Sequence, residues 1–328
     1  MGYRRRATAI VALLLGAAGL AGCGGSTPSA DEGASFVYGT VSTGIVSREV
    51  MAADKLGYLD EAGVDLSVKK LQSDTMLTPL MANGETSIGY LTYVTTVTAL
   101  RSGIPLRMVS GIQELEPDIQ TVWVPKDSPV TSIADFKGKT IGVSAVGGYG
   151  NVLFGEALAT EGLTLEDVTL TEVSFSDMAS ALERGDIDLG WLPAPFAAAQ
   201  RANPDTPLRQ VVDFNDIPAL TGLPQGGVVA TAEFYEQNPE TIGKFREQEK
   251  RAADYLRENP DYDRELQKEL AGYEPSVTSE LPLQGYAGSF SADDLERLLT
   301  LMTKYGLLEE GDEVDLGAFV GDLGNAED

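Results

Sequence analysis

Short apolar runs alternate with amphipathic stretches along most of the chain. The runs have the length and β-branched content of buried strands, whereas the stretches between them repeat apolar side chains every three or four residues, as helices do. Alternation of this kind predicts an α/β protein with mostly parallel, mixed sheets. The predicted strands are Ser35–Thr40, Val64–Leu71, Thr86–Leu91, Leu106–Gly111, Ile119–Val124, Thr140–Ser144, Val168–Val173, Ile187–Leu192, Leu208–Phe214 and Gly227–Thr231, and the predicted helices include Ser47–Glu61, Asn151–Glu161 and Met178–Arg184.

The chain becomes almost wholly helical after residue 233. Asn238–Glu258 places Ile242, Phe245 and Leu256 near one face, with Lys and Glu elsewhere. This pattern is typical of a surface helix packed on a core. A partner-binding helix is the alternative.

Two β/α blocks follow one another without a linker, which predicts interleaved lobes. Thr121–Val124 and Gly227–Thr231 bracket the second block and could be paired crossing strands that act as a hinge. We therefore expect a first lobe from 36–124 plus 227–328 and a second lobe from 125–226. A chain of 328 residues is long enough for two domains of about 150 residues each.

The N-terminus has the pattern of a secretory signal. Three arginines, Arg4 to Arg6, precede an uncharged run from Ala7 to Leu20. That run is shorter than the roughly 20 residues a helix needs to span a bilayer. We expect residues 1–22 to be a signal peptide. A buried N-terminal helix is the alternative.

The chain's single cysteine ends this run. Leu20-Ala21-Gly22-Cys23 resembles a bacterial lipobox, which implies cleavage before Cys23 and lipid attachment to it. Residues 23–35 would then be the lipidated Cys and a flexible, Gly- and Ser-rich tether. The protein is expected at the outer face of the cytoplasmic membrane, lipid-anchored. An ordinary cleavage site with a stray thiol is the alternative.

Charge and composition exclude several classes of function. The chain has 24 Lys and Arg against 50 Asp and Glu, a net charge of −26, so we expect no nucleic-acid partner. It contains no histidine, which excludes a Ser-His-Asp triad, a Cys-His pair and histidine metal ligands. One cysteine excludes a thiolate zinc site. We expect no metal, no cofactor and no catalytic residues.

Ligands in open α/β sheets bind beyond the carboxyl ends of the strands, which directs attention to the loops that follow the predicted strands. The loop after the first strand offers Ser42, Thr43 and Gly44, and a helix cap is its alternative. A second loop offers Tyr90, Thr92 and Tyr93, with core packing of the tyrosine rings as the alternative.

A third loop carries three glycines in four positions before a predicted helix. Bare N–H groups at a helix N-terminus favour an anion, although such turns also occur for geometric reasons. Its candidate binding residues are Ser144, Gly147, Gly148, Tyr149 and Asn151. In a fourth loop, Trp191 could form a pocket wall or pack between the lobes.

The order and spacing of several motifs resemble a known family. Ser132-Ile-Ala-Asp-Phe-Lys-Gly-Lys-Thr-Ile-Gly-Val143 is followed by Ala181-Leu-Glu-Arg-Gly-Asp-Ile-Asp188, and Leu80-Met-Ala-Asn-Gly84 lies upstream. Over about residues 36–260 the chain resembles the sulfonate/taurine/nitrate-type solute-binding proteins of ATP-driven importers, whose superfamily includes binders of thiamine pyrimidine precursors. The resemblance implies a two-lobed periplasmic-binding-protein (type II) fold that closes on a small molecule and docks on an ABC permease, as a monomer.

The resemblance also bears on the ligand. It places Ser42, Thr43, Tyr90, Thr92, Ser144, Gly148, Tyr149, Asn151 and Trp191 in the cleft. Family members often carry an acid where this chain has Ala194, and its loss disfavours an amine ligand such as taurine. A sulfonate, another small anion or a pyrimidine-like heterocycle remain, and Arg48 is the nearest candidate cation.

Two other functions are compatible with this fold, an enzyme and a ligand sensor. A relative in the same superfamily builds the thiamine pyrimidine by consuming its own histidine, which this chain lacks. We therefore expect that the protein is not an enzyme and serves as the solute-binding component of an ABC importer. A ligand-sensing lipoprotein of the same fold is the alternative.

Overall fold

A computed structural model describes residues 34–41, 44–71, 74–283 and 285–325. The predicted signal peptide, Cys23, nearly all of the tether, and Ser42 and Thr43 lie outside the described residues. Within those ranges, no helix combines the length and the apolar character needed to cross a membrane.

All ten predicted strands are confirmed, with shifts of a few residues at their ends. The strands are β1 (Ala34–Thr40), β2 (Val64–Lys70), β3 (Ile88–Thr92), β4 (Leu106–Glu114), β5 (Gln120–Pro125), β6 (Thr140–Val143), β7 (Thr169–Glu172), β8 (Leu189–Pro193), β9 (Leu208–Asp213) and β10 (Pro224–Thr231). The helices are α1 (Arg48–Lys55), α2 (Tyr58–Glu61), α3 (Leu77–Ala82), α4 (Tyr93–Arg101), α5 (Tyr149–Thr160), α6 (Phe175–Arg184), α7 (Ala194–Ala202), α8 (Ala232–Gln237), α9 (Pro239–Glu258), α10 (Pro260–Ala271), α11 (Pro275–Glu280), α12 (Ala292–Lys304) and α13 (Leu316–Val320).

One predicted helix is divided. The sequence pattern predicts a single helix over Ser47–Glu61, but the structure has α1 and α2 with Gly57 between them. Gly57 has a φ of 76°, a left-handed conformation that glycine adopts without steric cost. The chain therefore bends there while both helices keep apolar side chains on the core.

The strands form two five-stranded mixed sheets, which confirms the predicted fold class. The first sheet has the order β2-β1-β3-β10-β4 and the second has the order β7-β6-β8-β5-β9. In each sheet the first three strands are parallel, and the fourth, β10 or β5, is antiparallel to both neighbours. Each antiparallel strand is reached by a chain segment that arrives from the other sheet.

The chain crosses between the sheets just before β5 and just before β10. The N–H of Leu115 donates to the carbonyl of Leu223 at 2.9 Å, and the N–H of Gly222 donates to the carbonyl of Leu115 at 3.1 Å. The expected boundary at residue 124 falls inside β5, whose residues 120–125 pair entirely within the second sheet. That boundary is therefore corrected to the 115–119 segment, because an apolar strand pattern does not reveal which sheet a strand joins. The division into two lobes stays a proposal.

Apolar side chains form separate layers against the two faces of the first sheet. One layer lies between this sheet and helices α1 and α9, and it includes Phe36, Tyr38 and Phe245. The other continues past the crossing segments into the second sheet and includes Phe154 and Leu298. Helix α9 buries the apolar face predicted for it, so its role as a packing helix is confirmed.

Candidate functional site

The carboxyl ends of β1 and β3 carry the candidates of the first sheet. Tyr90 is buried, and its hydroxyl donates to Oε1 of Gln113 at 3.0 Å. Thr92 caps α4 by accepting the N–H of Thr95 at 3.3 Å. Gly44 is buried against the end of α10, where a Cβ would lie 3.0 Å from that of Ala271.

Tyr93 belongs to the core. It is 1% exposed, and its ring meets the rings of Phe290 and Phe319 edge-on at centroid distances of 5.7 and 6.2 Å. Its hydroxyl has no hydrogen-bond partner among the described residues. The packing alternative therefore describes this side chain better than an open binding role.

Two adjacent glycines of β10 make room for these tyrosines. A Cβ on Gly226 would lie 2.4 Å from the Tyr90 hydroxyl, and one on Gly227 would lie 2.6 Å from the Tyr93 hydroxyl. Because the two hydroxyls approach successive residues of the strand, they reach β10 from opposite faces. Glycine is needed here for close approach rather than for backbone conformation.

The glycine-rich loop follows β6, as predicted, and leads into α5. The N–H of Val146 donates to the carboxylate of Glu172 at 3.1 Å, and the N–H of Gly147 donates to Oδ1 of Asn151 at 2.9 Å. Gly148 precedes α5, and Ser144 is exposed. At the N–H groups of Val146 and Gly147, an anionic ligand would have to displace the protein's own acceptors, one of them a carboxylate.

Trp191 lies under aromatic neighbours and does not form an open wall. It is 5% exposed. Its ring stands edge-on to Phe175 at 4.9 Å between centroids and lies 6.3 Å from the ring of Tyr149. Its indole N–H donates to Oε1 of Gln120 at 2.7 Å.

Gln120 continues this contact into the other sheet. Its side-chain amide donates to Oε1 of Gln225 at 2.8 Å, and the amide of Gln225 donates to the backbone carbonyl of Glu114 at 2.7 Å. Gln113, Gln120 and Gln225 were not predicted from the sequence. The only signal in the sequence is a glutamine inside or beside an otherwise apolar predicted strand.

Arg48, the candidate cation, is already paired. It is 7% exposed, and its guanidinium lies 2.6 Å from Oε1 of Glu49 and 3.3 Å from Oδ2 of Asp263. These carboxylates offset its charge, so Arg48 is a poor receptor for an anionic ligand.

Carboxylates surround the crossing segments and the neighbouring helices. Burial, reinforced by Glu116, raises the pKa of Glu114, and burial raises the pKa of Asp213. On α9, burial together with nearby Glu49 raises the pKa of Glu249 to about 8. This part of the molecule therefore disfavours additional negative charge. In the described ranges, no group of three or more Asp, Glu, Cys or His side chains is arranged to hold a metal ion.

The binding roles predicted for these residues stay predictions. Tyr90 and Trp191 are the middle residues of β3 and β8, and Tyr149 is the first residue of α5, the helix that follows β6. Ser42 and Thr43 lie outside the described residues.

Known proteins of similar sequence or structure include both enzymes and solute-binding proteins. The 4-amino-5-hydroxymethyl-2-methylpyrimidine phosphate synthase of Candida albicans (strain WO-1) is 24% identical over 243 residues, which cover 71% of this chain and 69% of that protein. The alkanesulfonate-binding protein SsuA from Xanthomonas axonopodis pv. citri, solved with bound MOPS, superposes with a TM-score of 0.73 at 19% identity, covering 88% of this chain and 99% of its own. The desulfurization enzyme DSZB gives a TM-score of 0.65 at 19% identity, covering 88% and 96%.

These relatives correct one expectation. The chain was expected not to be an enzyme, but its curated relatives are named as a synthase. The missing histidine and the missing motifs exclude particular mechanisms, whereas a fold can carry both binding proteins and enzymes. The expectation was therefore wrong in treating the absence of a few known constellations as the absence of catalysis.

The family model described as NMT1/THI5 like matches residues 46–262. The match begins just before α1 and ends within α10, so it includes both sheets except for β1. The resemblance inferred from the sequence motifs is thereby confirmed, and the chain belongs to the NMT1/THI5-like family.

Proposed function

We propose that this protein captures a small solute between its two sheets and delivers it to an ABC permease. The observation that carries the proposal is the paired crossing, in which Leu115 exchanges backbone hydrogen bonds with Gly222 and Leu223. Two such connections can act as a hinge that lets two α/β layers close on a ligand. The similarity to sulfonate-binding proteins, which share the fold, supports the same function.

We infer that the ligand is an uncharged or cationic nitrogen heterocycle rather than a sulfonate. Arg48 is offset by two carboxylates, and Glu172 occupies an N–H group of the glycine-rich loop. Partial burial, reinforced by the neighbouring Glu116 carboxylate, raises the pKa of Glu114. A sulfonate would meet no unneutralised cation among these groups, while a ring with amino donors would meet carboxylates and amide oxygens.

The names of the curated relatives agree with this ligand class. They contain an aminopyrimidine, 4-amino-5-hydroxymethyl-2-methylpyrimidine phosphate, in the name of the activity. This compound class combines a planar ring with an amino donor. The side chain of Tyr149, half-buried at the start of α5, can pack against such a ring.

The ligand class is tested by thermal unfolding of the full chain with two probes. We expect 4-amino-5-hydroxymethyl-2-methylpyrimidine to raise the melting temperature by a few degrees, because a ligand at 100 times its Kd adds about 2.7 kcal/mol. Ethanesulfonate should leave it unchanged. A shift with ethanesulfonate alone would overturn the ligand class, and no shift with either probe would contradict the proposed function.

Calorimetric titration of two variants sharpens this test. Glu114→Gln should weaken binding of the aminopyrimidine, since it removes a carboxylate near the crossing. Glu161→Gln is the matched control, because Glu161 is exposed at the end of α5. Equal affinities for both variants would contradict a role for the Glu114 carboxylate.

We further propose that the protein is held outside the cytoplasmic membrane by lipid on Cys23. The support is the lipobox-like sequence at the only cysteine of the chain. In a bacterial host, radiolabelled palmitate should enter the wild-type protein and not Cys23→Ala. Label retained by Cys23→Ala would overturn the anchor.

A further inference from the structure

Three hydrogen bonds link Trp191 in the second sheet to the backbone of β4 in the first. They run from the Trp191 indole to Gln120 at 2.7 Å, from Gln120 to Gln225 at 2.8 Å, and from Gln225 to the carbonyl of Glu114 at 2.7 Å. We call these side chains the amide relay. We propose that Gln120 and Gln225 are positioning residues that set the orientation of Trp191 from the opposite sheet.

The direction of every bond in the amide relay is fixed by its two ends. The indole nitrogen of Trp191 can only donate, and the carbonyl of Glu114 can only accept. Gln120 must therefore present its oxygen to Trp191 and its NH₂ to Gln225, which must do the same toward Glu114. Both amides are used at both ends, so neither glutamine can turn over without breaking two bonds.

Chemistry explains why both positions hold glutamine. Each residue must accept at one end and donate at the other, which an amide does and a carboxylate or an alkyl chain does not. Gln225 is 5% exposed, so an amide left without partners there would be costly. Aligned bonds of this kind also reinforce one another.

The middle bond is the one that joins the sheets. Trp191 and Gln120 lie on β8 and β5 of the second sheet, while Gln225 and Glu114 lie on β10 and β4 of the first. A change in the angle between the sheets strains the bond from Gln120 to Gln225 first. Once it breaks, the Gln120 amide can rotate, and the Trp191 indole loses its fixed acceptor.

The position of Trp191 thus depends on how the sheets are arranged about the crossings. The link between Trp191 and the arrangement of the sheets does not require the proposed function. Its role in solute binding does rest on that function: a solute that packs near Trp191 would favour the arrangement in which the amide relay is intact. The relay itself can be tested without any solute.

The test is NMR of the two tryptophan indole N–H groups in ¹⁵N-labelled protein. The chain has two tryptophans, and the Trp123 indole donates to Thr121 at 2.8 Å, outside the relay. Trp191→Phe assigns the two signals, and Trp123 serves as the internal reference.

The decisive variant is Gln225→Met, which does not alter the residue bonded to Trp191. We expect the Trp191 indole signal to move upfield and its hydrogen exchange to accelerate by about fivefold, the factor expected from the net loss of one neutral hydrogen bond. The Trp123 signal should stay in place. Gln113→Met is the matched control, because Gln113 is equally buried on β4 but bonds to Tyr90.

An unchanged Trp191 signal in Gln225→Met would overturn the relay. So would equal changes at Trp123 and Trp191, or the same change in Gln113→Met, because these indicate general loosening. A failure of both probes to bind contradicts the proposed function but leaves this result standing, since the NMR test uses no ligand.

Discussion

The carboxylate of Glu156 on α5 accepts a hydrogen bond from the hydroxyl of Tyr305 at 2.7 Å, although 149 residues separate them. The ammonium of Lys304 lies 2.5 Å from the same oxygen. Arg297, in helix α12, which ends at Lys304, donates to the carbonyl of Thr221 in the second crossing segment at 3.0 Å. Helix α12 and Tyr305, which follows it, therefore connect α5 to the segment that joins the two sheets.

Glu156→Gln should lower the free energy of unfolding by about 2 kcal/mol, because a nearly buried carboxylate that accepts two bonds becomes a neutral amide. Urea unfolding measures the change. Glu161→Gln, at an exposed position just beyond α5, should change the stability by less than about 0.5 kcal/mol. Equal effects of the two variants would show that the Glu156 contacts contribute nothing.

Substitution of alanine for two helical glycines should change the stability of the protein in opposite directions. A Cβ on Gly155 of α5 would lie 2.3 Å from the Tyr305 ring, whereas one on Gly243 of α9 would have no atom within 4 Å. Gly155→Ala should destabilise the protein by about 1–3 kcal/mol through overpacking. Gly243→Ala should stabilise it by about 0.5–1 kcal/mol, because alanine loses less entropy in a helix. Thermal unfolding of both variants provides the measurement, and the same sign for both would contradict this packing.

Local sequence patterns were sufficient to predict the strands and helices but not how the strands assemble into sheets. Buried strands such as Thr140–Val143 appear as apolar runs between turn residues, so the sequence predicts them directly. The sheet that β5 joins depends on its register with β8 and β9, which lie far along the chain. No periodicity within Gln120–Pro125 carries that information.

Site residues could be predicted from the sequence only where they lie together in one loop. The glycine-rich loop after β6 is visible in the sequence, and the structure places it before α5 as expected. Tertiary packing brings Glu172 to this loop, where its carboxylate accepts the backbone N–H of Val146. The hydrogen bond between Gln120 and Gln225, which are 105 residues apart, also depends on tertiary packing. Likewise, Arg48 looked available because Asp263 is distant in sequence.

Arg48 is predicted to be essential for stability rather than for anion binding. Arg48→Met leaves Glu49 and Asp263 buried without their counter-charge, which should cost about 3–5 kcal/mol. Arg184→Met removes an exposed pair with Asp186 and should cost less than about 1 kcal/mol. Chemical unfolding of the two variants tests this, and a small loss for Arg48→Met would mean that the carboxylates find other partners.

Glu249 predicts a specific dependence of stability on pH. Its carboxyl is fully buried, the hydroxyl of Tyr286 donates to it at 3.3 Å, and its pKa is raised from 4.5 to about 8. Between these two pH values the folded protein holds a proton that the unfolded chain has released. Stability from this group is therefore complete below pH 4.5 and declines as the pH rises to 8, with a slope that approaches about 1.4 kcal/mol per pH unit.

Glu249→Gln removes this proton without changing the shape of the side chain. The variant should lose that slope between pH 5 and 8, so the stability it gains relative to the wild type should increase steadily with pH across this window. Urea unfolding at several pH values measures it. Glu247→Gln, exposed on the same helix, should keep the wild-type slope. Parallel pH curves for wild type and Glu249→Gln would mean that the Glu249 carboxyl is ionised in the folded protein, with Arg246 or another nearby donor stabilising its charge.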